Sequence, residues 1–202
     1  MHRAHAVGMR MAQASWRSAA VVFVVSWLIA GPCLSHEHLT IEVGRDGDFI
    51  TVKGSADLKA DVQIAWEVLS NYDDLARFIP DIQSSRVLKR DAGGLLVEQK
   101  GEFGVLFFRH AVDVTMEVSE EPPRRIVARA VSGSMKNMET RYDLLPSENG
   151  VRLGYYGRFV PDFFIPPLIG LTIVRRTLER RFRAMADEIE RRDALARDKP
   201  RR

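Results

Sequence analysis

The stretch Leu106-Phe-Phe-Arg-His-Ala-Val-Asp-Val-Thr-Met-Glu-Val118 decides the fold. Leu106, Phe108, His110, Val112, Val114, Met116 and Val118 fall on one side of a period of two, and Arg109, Asp113, Thr115 and Glu117 on the other. A strand with one buried and one wetted face belongs to an antiparallel sheet. The same period holds in neighbouring runs, over Ser84–Arg90, Leu95–Glu102, Ile126–Val131, Lys136–Leu145 and Val151–Val160. Asp91-Ala-Gly-Gly94, Glu121-Pro-Pro-Arg124 and Ser147-Glu-Asn-Gly150 supply the turns between them.

Upstream, Leu39–Val43 and Phe49–Ser55 flank Gly44-Arg-Asp-Gly47 and read as a hairpin or one bent strand. Val62, Ala65, Trp66 and Leu69 have helical spacing, with Asp61 suited to the first turn, and a second short helix over Asp74–Phe78 stops before Pro80. Downstream, Leu171, Val174, Leu178, Phe182, Met185 and Ile189 form one continuous helical stripe. The class is therefore α+β. A curved antiparallel sheet of about six to seven strands wraps a long C-terminal helix, because one layer cannot cover its own apolar face.

The chain has 202 residues and one cysteine, Cys33, which excludes an internal disulfide. Its formal charge of +3 comes from Arg3, Arg10 and Arg17; the other 27 Lys and Arg balance 27 Asp and Glu. A neutral domain lacks the positive field that general nucleic-acid binding needs. Residues 1–35 have the layout of a secretory signal. The basic stretch Met1–Arg17 precedes an apolar run over Ala19–Leu34, with Gly31-Pro32 and small residues before His36. Such an acid-free leader also fits a mitochondrial transit peptide, but the continuous apolar core favours export to the periplasm. Membrane anchoring by residues 19–34 is the alternative, although that run is shorter than the ~18 residues of a span. The expected organisation is a signal peptide over 1–35, a ligand-binding domain over 36–195 and a basic disordered tail over 196–202.

The run Ala65-Trp-Glu-Val-Leu-Ser-Asn-Tyr-Asp-Asp-Leu-Ala-Arg-Phe-Ile-Pro80 resembles the helix pair that opens members of the START-like (SRPBCC) superfamily. The similarity continues through Ser85-Arg-Val-Leu88, Val131-Ser-Gly-Ser-Met135, Tyr142-Asp-Leu-Leu-Pro146, Gly150-Val-Arg-Leu-Gly-Tyr155 and Val160-Pro-Asp-Phe-Phe-Ile-Pro-Pro167. It is closest to the polyketide cyclase/dehydrase and coenzyme Q-binding START branch, and covers about residues 50–190. The resemblance implies a helix-grip fold with an elongated apolar cavity. It also implies lipid, isoprenoid quinone or polyketide-like ligands. Ser134 and Tyr142 stand where relatives carry an acidic residue and Trp, which reads as a change of framework. No residue matches a family-wide catalytic group.

The expected cavity wall comprises His110, Val112, Val114, Met116, Met138, Tyr142, Leu153, Tyr155, Leu178, Phe182 and Met185, which share the apolar phase of their elements. Met116, Met138 and Met185 suit an irregular apolar space. A buried phenol at Tyr142 or Tyr155 orients a polar head or is satisfied in the core. His110 is either a donor to a ligand, a general acid, or a strand-end histidine bonded to backbone or water. Glu98 with Glu102, and Asp113 with Glu117, share faces but read as solvated.

The first reading is thus a monomeric carrier or chaperone of a hydrophobic small molecule, not an enzyme and without cofactor. A cyclase or dehydratase using His110 or a cavity tyrosine is the rival. Phe163, Phe164 and Ile165, between Pro161 and Pro166, are too apolar for an ordinary loop. They cap the core or dock on a membrane, beside the basic face that begins at Arg175-Arg176. His36-Glu37-His38 would place a square-planar nitrogen set at a mature N-terminus, though a chance surface tripeptide is the plainer reading. No zinc spacing, phosphate loop or Ser–His–Asp order occurs, and no metal is expected.

Overall fold

A computed structural model describes residues 39–198 except 93, 106, 107 and 167. The expected leader and the His36–His38 tripeptide lie outside the described residues. Strands β1 (Thr40–Asp46) and β2 (Phe49–Leu58) precede helix α1 (Val62–Ser70) and a 3-10 turn over Tyr72–Arg77. Then follow β3 (Ile82–Asp91), β4 (Gly94–Val105), β5 (Phe108–Glu121), β6 (Arg125–Gly133), β7 (Met135–Ser147) and β8 (Gly150–Pro161). Helix α2 (Gly170–Arg197) ends the described chain.

All eight strands form one antiparallel sheet in the order β1-β2-β8-β7-β6-β5-β4-β3. The count exceeds the expected six to seven because the first hairpin makes two full strands rather than one bent one. Gly47, at φ +56°, turns it. Successive β2 and β3 lie far apart in the sheet, and α1 with the 3-10 turn carries the chain between them.

Local chemistry explains the helix ends. Asp61 caps α1 by accepting the Gln63 N–H at 2.7 Å. In α2, Val174, Phe182, Met185 and Ile189 are buried on the expected stripe, with Ile173, Thr177 and Ala186 beside it. The helix runs through Arg197, two residues into the stretch expected as a tail, and Ala194 accepts the Asp198 N–H to complete the last turn; residues 199–202 lie outside the described residues.

Two polar contacts set where α2 crosses the sheet. Thr177 Oγ1 donates to the Gly104 carbonyl at 3.2 Å, and Arg180 reaches Asp81 at 2.6 Å. Asp81, itself at φ +69°, also accepts the Glu102 N–H. A side chain at Gly101 would collide with the Asp81 carbonyl, so only glycine permits this approach.

The sheet's outer face carries ion pairs between residues in direct register. Arg86 faces Glu98, Arg125 faces Asp143, Arg129 faces Glu139 and Arg152 faces Asp57, at 2.6–3.4 Å. Exposed pairs of this kind contribute at most about 1 kcal/mol each. Asp113 and Glu117 are exposed on the same face, as their phase requires. Glu98 binds Arg86 and Lys100, and Glu102 binds Arg109, so these carboxylates do not form an acid–base pair.

Candidate functional site, a cavity under the long helix

The inner face of the sheet is not filled solid. A cavity of about 170 Å³ lies between it and the helices. Val112, Val114 and Met116 line it from β5, Met138 and Tyr142 from β7, and Tyr155 from β8. Leu178, Phe182 and Met185 close it from α2, while Leu69, Tyr72, Leu75 and Ile79 come from the helical segment before β3. The three expected methionines all lie on the wall, and Met135 joins them.

Met135 and Met138 have opposite parity, so a regular strand would send one of them outward. A register shift between Lys136 and Glu139, with Asn137 at φ +51°, turns both inward. No residue pattern in β7 announces that bulge.

Two expected wall residues are not there. Leu153 is fully buried opposite Leu144 but does not border the cavity. Helix α1 packs on β7 and β8, so their ends are solid core rather than open space. His110 has the inward phase but lies two residues beyond Val112, on the far side of Phe103 from the cavity. It is exposed and stacks on Phe163, with ring centres 4.4 Å apart. The two rings line a separate outer pocket with Arg109, Phe164 and Ile165. Phe103 borders both spaces and is the wall between them.

The segment between β8 and α2 divides in the same way. Phe163 lies 6.0 Å from Phe103, and both Phe163 and Ile165 pack against the core. These two therefore cap the protein rather than stand free for docking. Phe164 points outward and is 80% exposed, with Leu168 at 97% and Ile169 at 44%.

Polar groups on the cavity wall are few: Gln99, Thr140, the three tyrosines and Arg181. Gln99 Nε2 donates to Ser85 Oγ at 3.3 Å, and Tyr72 Oη donates to Glu120 at 2.8 Å. The rings of Tyr142 and Tyr155 face each other across paired strands, 5.0 Å apart. Neither hydroxyl has a hydrogen-bond partner among the described residues. Burial pushes the Tyr142 phenol up to about 12, partly offset by the Arg181 charge. Burial raises Tyr155 further, with Tyr142 adding to it. Both stay protonated at neutral pH and can donate.

Sequence reasoning missed Arg181. Its place in an Arg-rich helix reads as a solvated face, yet the side chain lines the cavity. Nη2 donates to the Glu102 carbonyl at 2.6 Å, and the guanidinium lies 5.6 Å from the Phe103 ring centre. Nε is buried without a partner among the described residues. Burial lowers the guanidinium's pKa. Gln99 and Thr140 were missed as well, although both share the inward phase of their strands.

A sheet gripping one long helix over an apolar cavity defines the helix-grip class of START-like (SRPBCC) proteins. Within it, the chain belongs to the family described as polyketide cyclase / dehydrase and lipid transport, whose model matches residues 50–192. Three solved structures illustrate the fold. A STAR-related lipid transfer protein fragment from Xanthomonas axonopodis superposes with a TM-score of 0.61 at 15% identity, over 77% of this chain and 95% of that one. An aromatase/cyclase from a Streptomyces species gives 0.60 at 17%, over 71% and 95%. A START superfamily protein from Mycobacterium smegmatis gives 0.57 at 14%, over 72% and 98%. No curated protein matches the sequence significantly.

Proposed function

We propose that the protein carries a hydrophobic small molecule, a lipid, isoprenoid quinone or polyketide-like compound, in the cavity under α2. The observation that carries this reading is the wall itself: apolar side chains from seven strands and all three helical segments, with a handful of polar groups. Such a wall binds by removing apolar surface from water, at about 25 cal/mol per Å², while sparse donors set orientation. The resemblance to a lipid transfer protein supports the same reading. The rival acid–base reading loses its sharpest residue, because His110 is outside the cavity. Phenols held protonated by burial serve as donors, not as bases, at neutral pH.

The proposal includes exchange at an anionic lipid surface. Phe164, Leu168 and Ile169 form an exposed apolar tip, next to Arg109 and the exposed Arg175 and Arg176 at the start of α2. Apolar insertion and basic flanks together suit an anionic bilayer. It also includes export, on the strength of residues 1–35; an intact mass beginning near His36 is the expected mark of it.

Native mass spectrometry followed by organic extraction tests the carrier reading. The expected result is a mass excess in the native spectrum that disappears on denaturation, with an apolar compound in the extract. A protein that purifies empty and takes up no Nile red speaks against it.

A further inference from the structure

Arg181 poses a physical problem that the rest of the wall does not. A guanidinium offers five N–H donors and is always charged. Enclosing it without a carboxylate is costly unless something else compensates. Among the described residues, the nearby acids are already engaged. Asp81 pairs with Arg180 at 2.6 Å, Glu102 with Arg109 at 3.0 Å, and Glu120 accepts from Tyr72 and Arg90. In direct contact Arg181 has one backbone carbonyl and one aromatic face, and the charge of Asp81, which Arg180 already pairs, acts on it only from beyond contact. Its Nε–H is unused, and the phenols of Tyr142 and Tyr155 are unused donors on the same wall.

Structural duty accounts for part of this. The Nη2 bond to Glu102 helps hold α2 against β4, but Thr177 and Arg180 already hold Gly104 and Asp81. The Nε–H adds nothing to that contact. Donors without acceptors, on a wall with few other polar groups, describe the missing partner: an acceptor oxygen, and a negative one to match the cation.

We infer that Arg181, assisted by Tyr142 and Tyr155, anchors an anionic oxygen of the ligand, so that the cavity selects amphipathic acids, an apolar body ending in a carboxylate, over neutral lipids of the same shape. This rests on the carrier reading and deepens it. A carboxylate can accept from the guanidinium and from a phenol at once, and charge-assisted bonds of this type are stronger than neutral ones. An alcohol of equal chain length would leave the cation uncompensated.

Displacement of Nile red, a neutral probe, by decanoate and by decanol at pH 7.5 tests the inference. Decanoate is expected to displace the probe at a concentration at least tenfold lower than decanol. In Arg181→Met the acid should lose that advantage while decanol competes as before. The exposed Arg183→Met serves as the control and should keep the advantage. Equal potency of acid and alcohol on the unaltered protein overturns the anchor and leaves the carrier reading standing, even if Arg181→Met does not fold. Retention of the acid preference in a folded Arg181→Met protein also overturns it. Failure of Nile red, acid and alcohol alike to bind removes both readings together.

Discussion

The carboxylate of Asp193, near the end of α2, accepts the backbone N–H of Asp61 at 2.8 Å, immediately before the first turn of α1. Asp193 is buried and also pairs with Arg197 one turn later. Asp193 thus ties the start of α1 to the end of α2 opposite Phe163, beside the bonds that Glu190 and Arg197 make to the backbone of Lys59. Asp193→Ala leaves the Asp61 N–H without its acceptor and is expected to cost about 1–3 kcal/mol. Asp193→Asn keeps an acceptor oxygen and should cost less. The order of the two midpoints in urea denaturation checks this, and equal midpoints would refute it.

Leu153 and Met116 have similar burial but different surroundings. Leu153 belongs to solid core, so Leu153→Ala should destabilise by about 2–5 kcal/mol and leave Nile red affinity little changed. Met116 borders the cavity, so Met116→Trp has space to fill. It should block uptake of the probe at a cost of no more than about 1–3 kcal/mol. Full binding by a folded Met116→Trp protein would place the ligand elsewhere.

Phe163 and Phe164 are neighbours with opposite fates. Phe163→Ser removes the ring between His110 and Phe103 and should lower the melting temperature. Phe164→Ser should leave it unchanged but reduce co-sedimentation with vesicles containing phosphatidylglycerol. A Phe164→Ser protein that sediments like the parent would remove the lipid-surface part of the proposal.

Glu188 provides a test by pH. Hydrogen bonds from Arg191 and, more weakly, Arg192 outweigh the cost of burial and hold its carboxyl down to about 2. A folded-state value below the unfolded one means that the contribution is complete above about pH 5 and is lost as pH falls toward 2. Glu188→Gln should therefore flatten the melting-temperature profile in that window and nowhere above it. Parallel profiles for the two proteins would contradict the assignment.

What could be read in the sequence follows from what periodicity encodes. A period of two states on which side of a sheet a residue lies, and Val112, Val114 and Met116 were legible for that reason. It does not state which side chains divide the space beneath the helix, which is why His110 has the inward phase and still lies outside, beyond Phe103. A helical stripe identifies the residues pressed on the core, such as Phe182 and Met185. It is silent about Arg181 at the stripe's margin, whose burial depends on where β4 passes. The bulge at Asn137 depends on a local backbone twist that leaves the residue pattern on both sides intact. The split between Phe163 and Phe164 is a matter of tertiary packing around Phe103.

The ladder of opposite charges on the outer face has a bearing on descent. Arg86–Glu98, Arg125–Asp143, Arg129–Glu139 and Arg152–Asp57 join residues directly opposite one another, so each pair favours one alignment of its two strands over a slip. Alignment is thereby reinforced on a surface that does not border the cavity. The inner surface adds its apolar phase to that specification, and exchanging one apolar side chain for another there keeps the phase and does not misdirect assembly. The lining of the cavity and the order of the strands are then heritable as nearly separate traits, and a lineage could reshape the one while conserving the other.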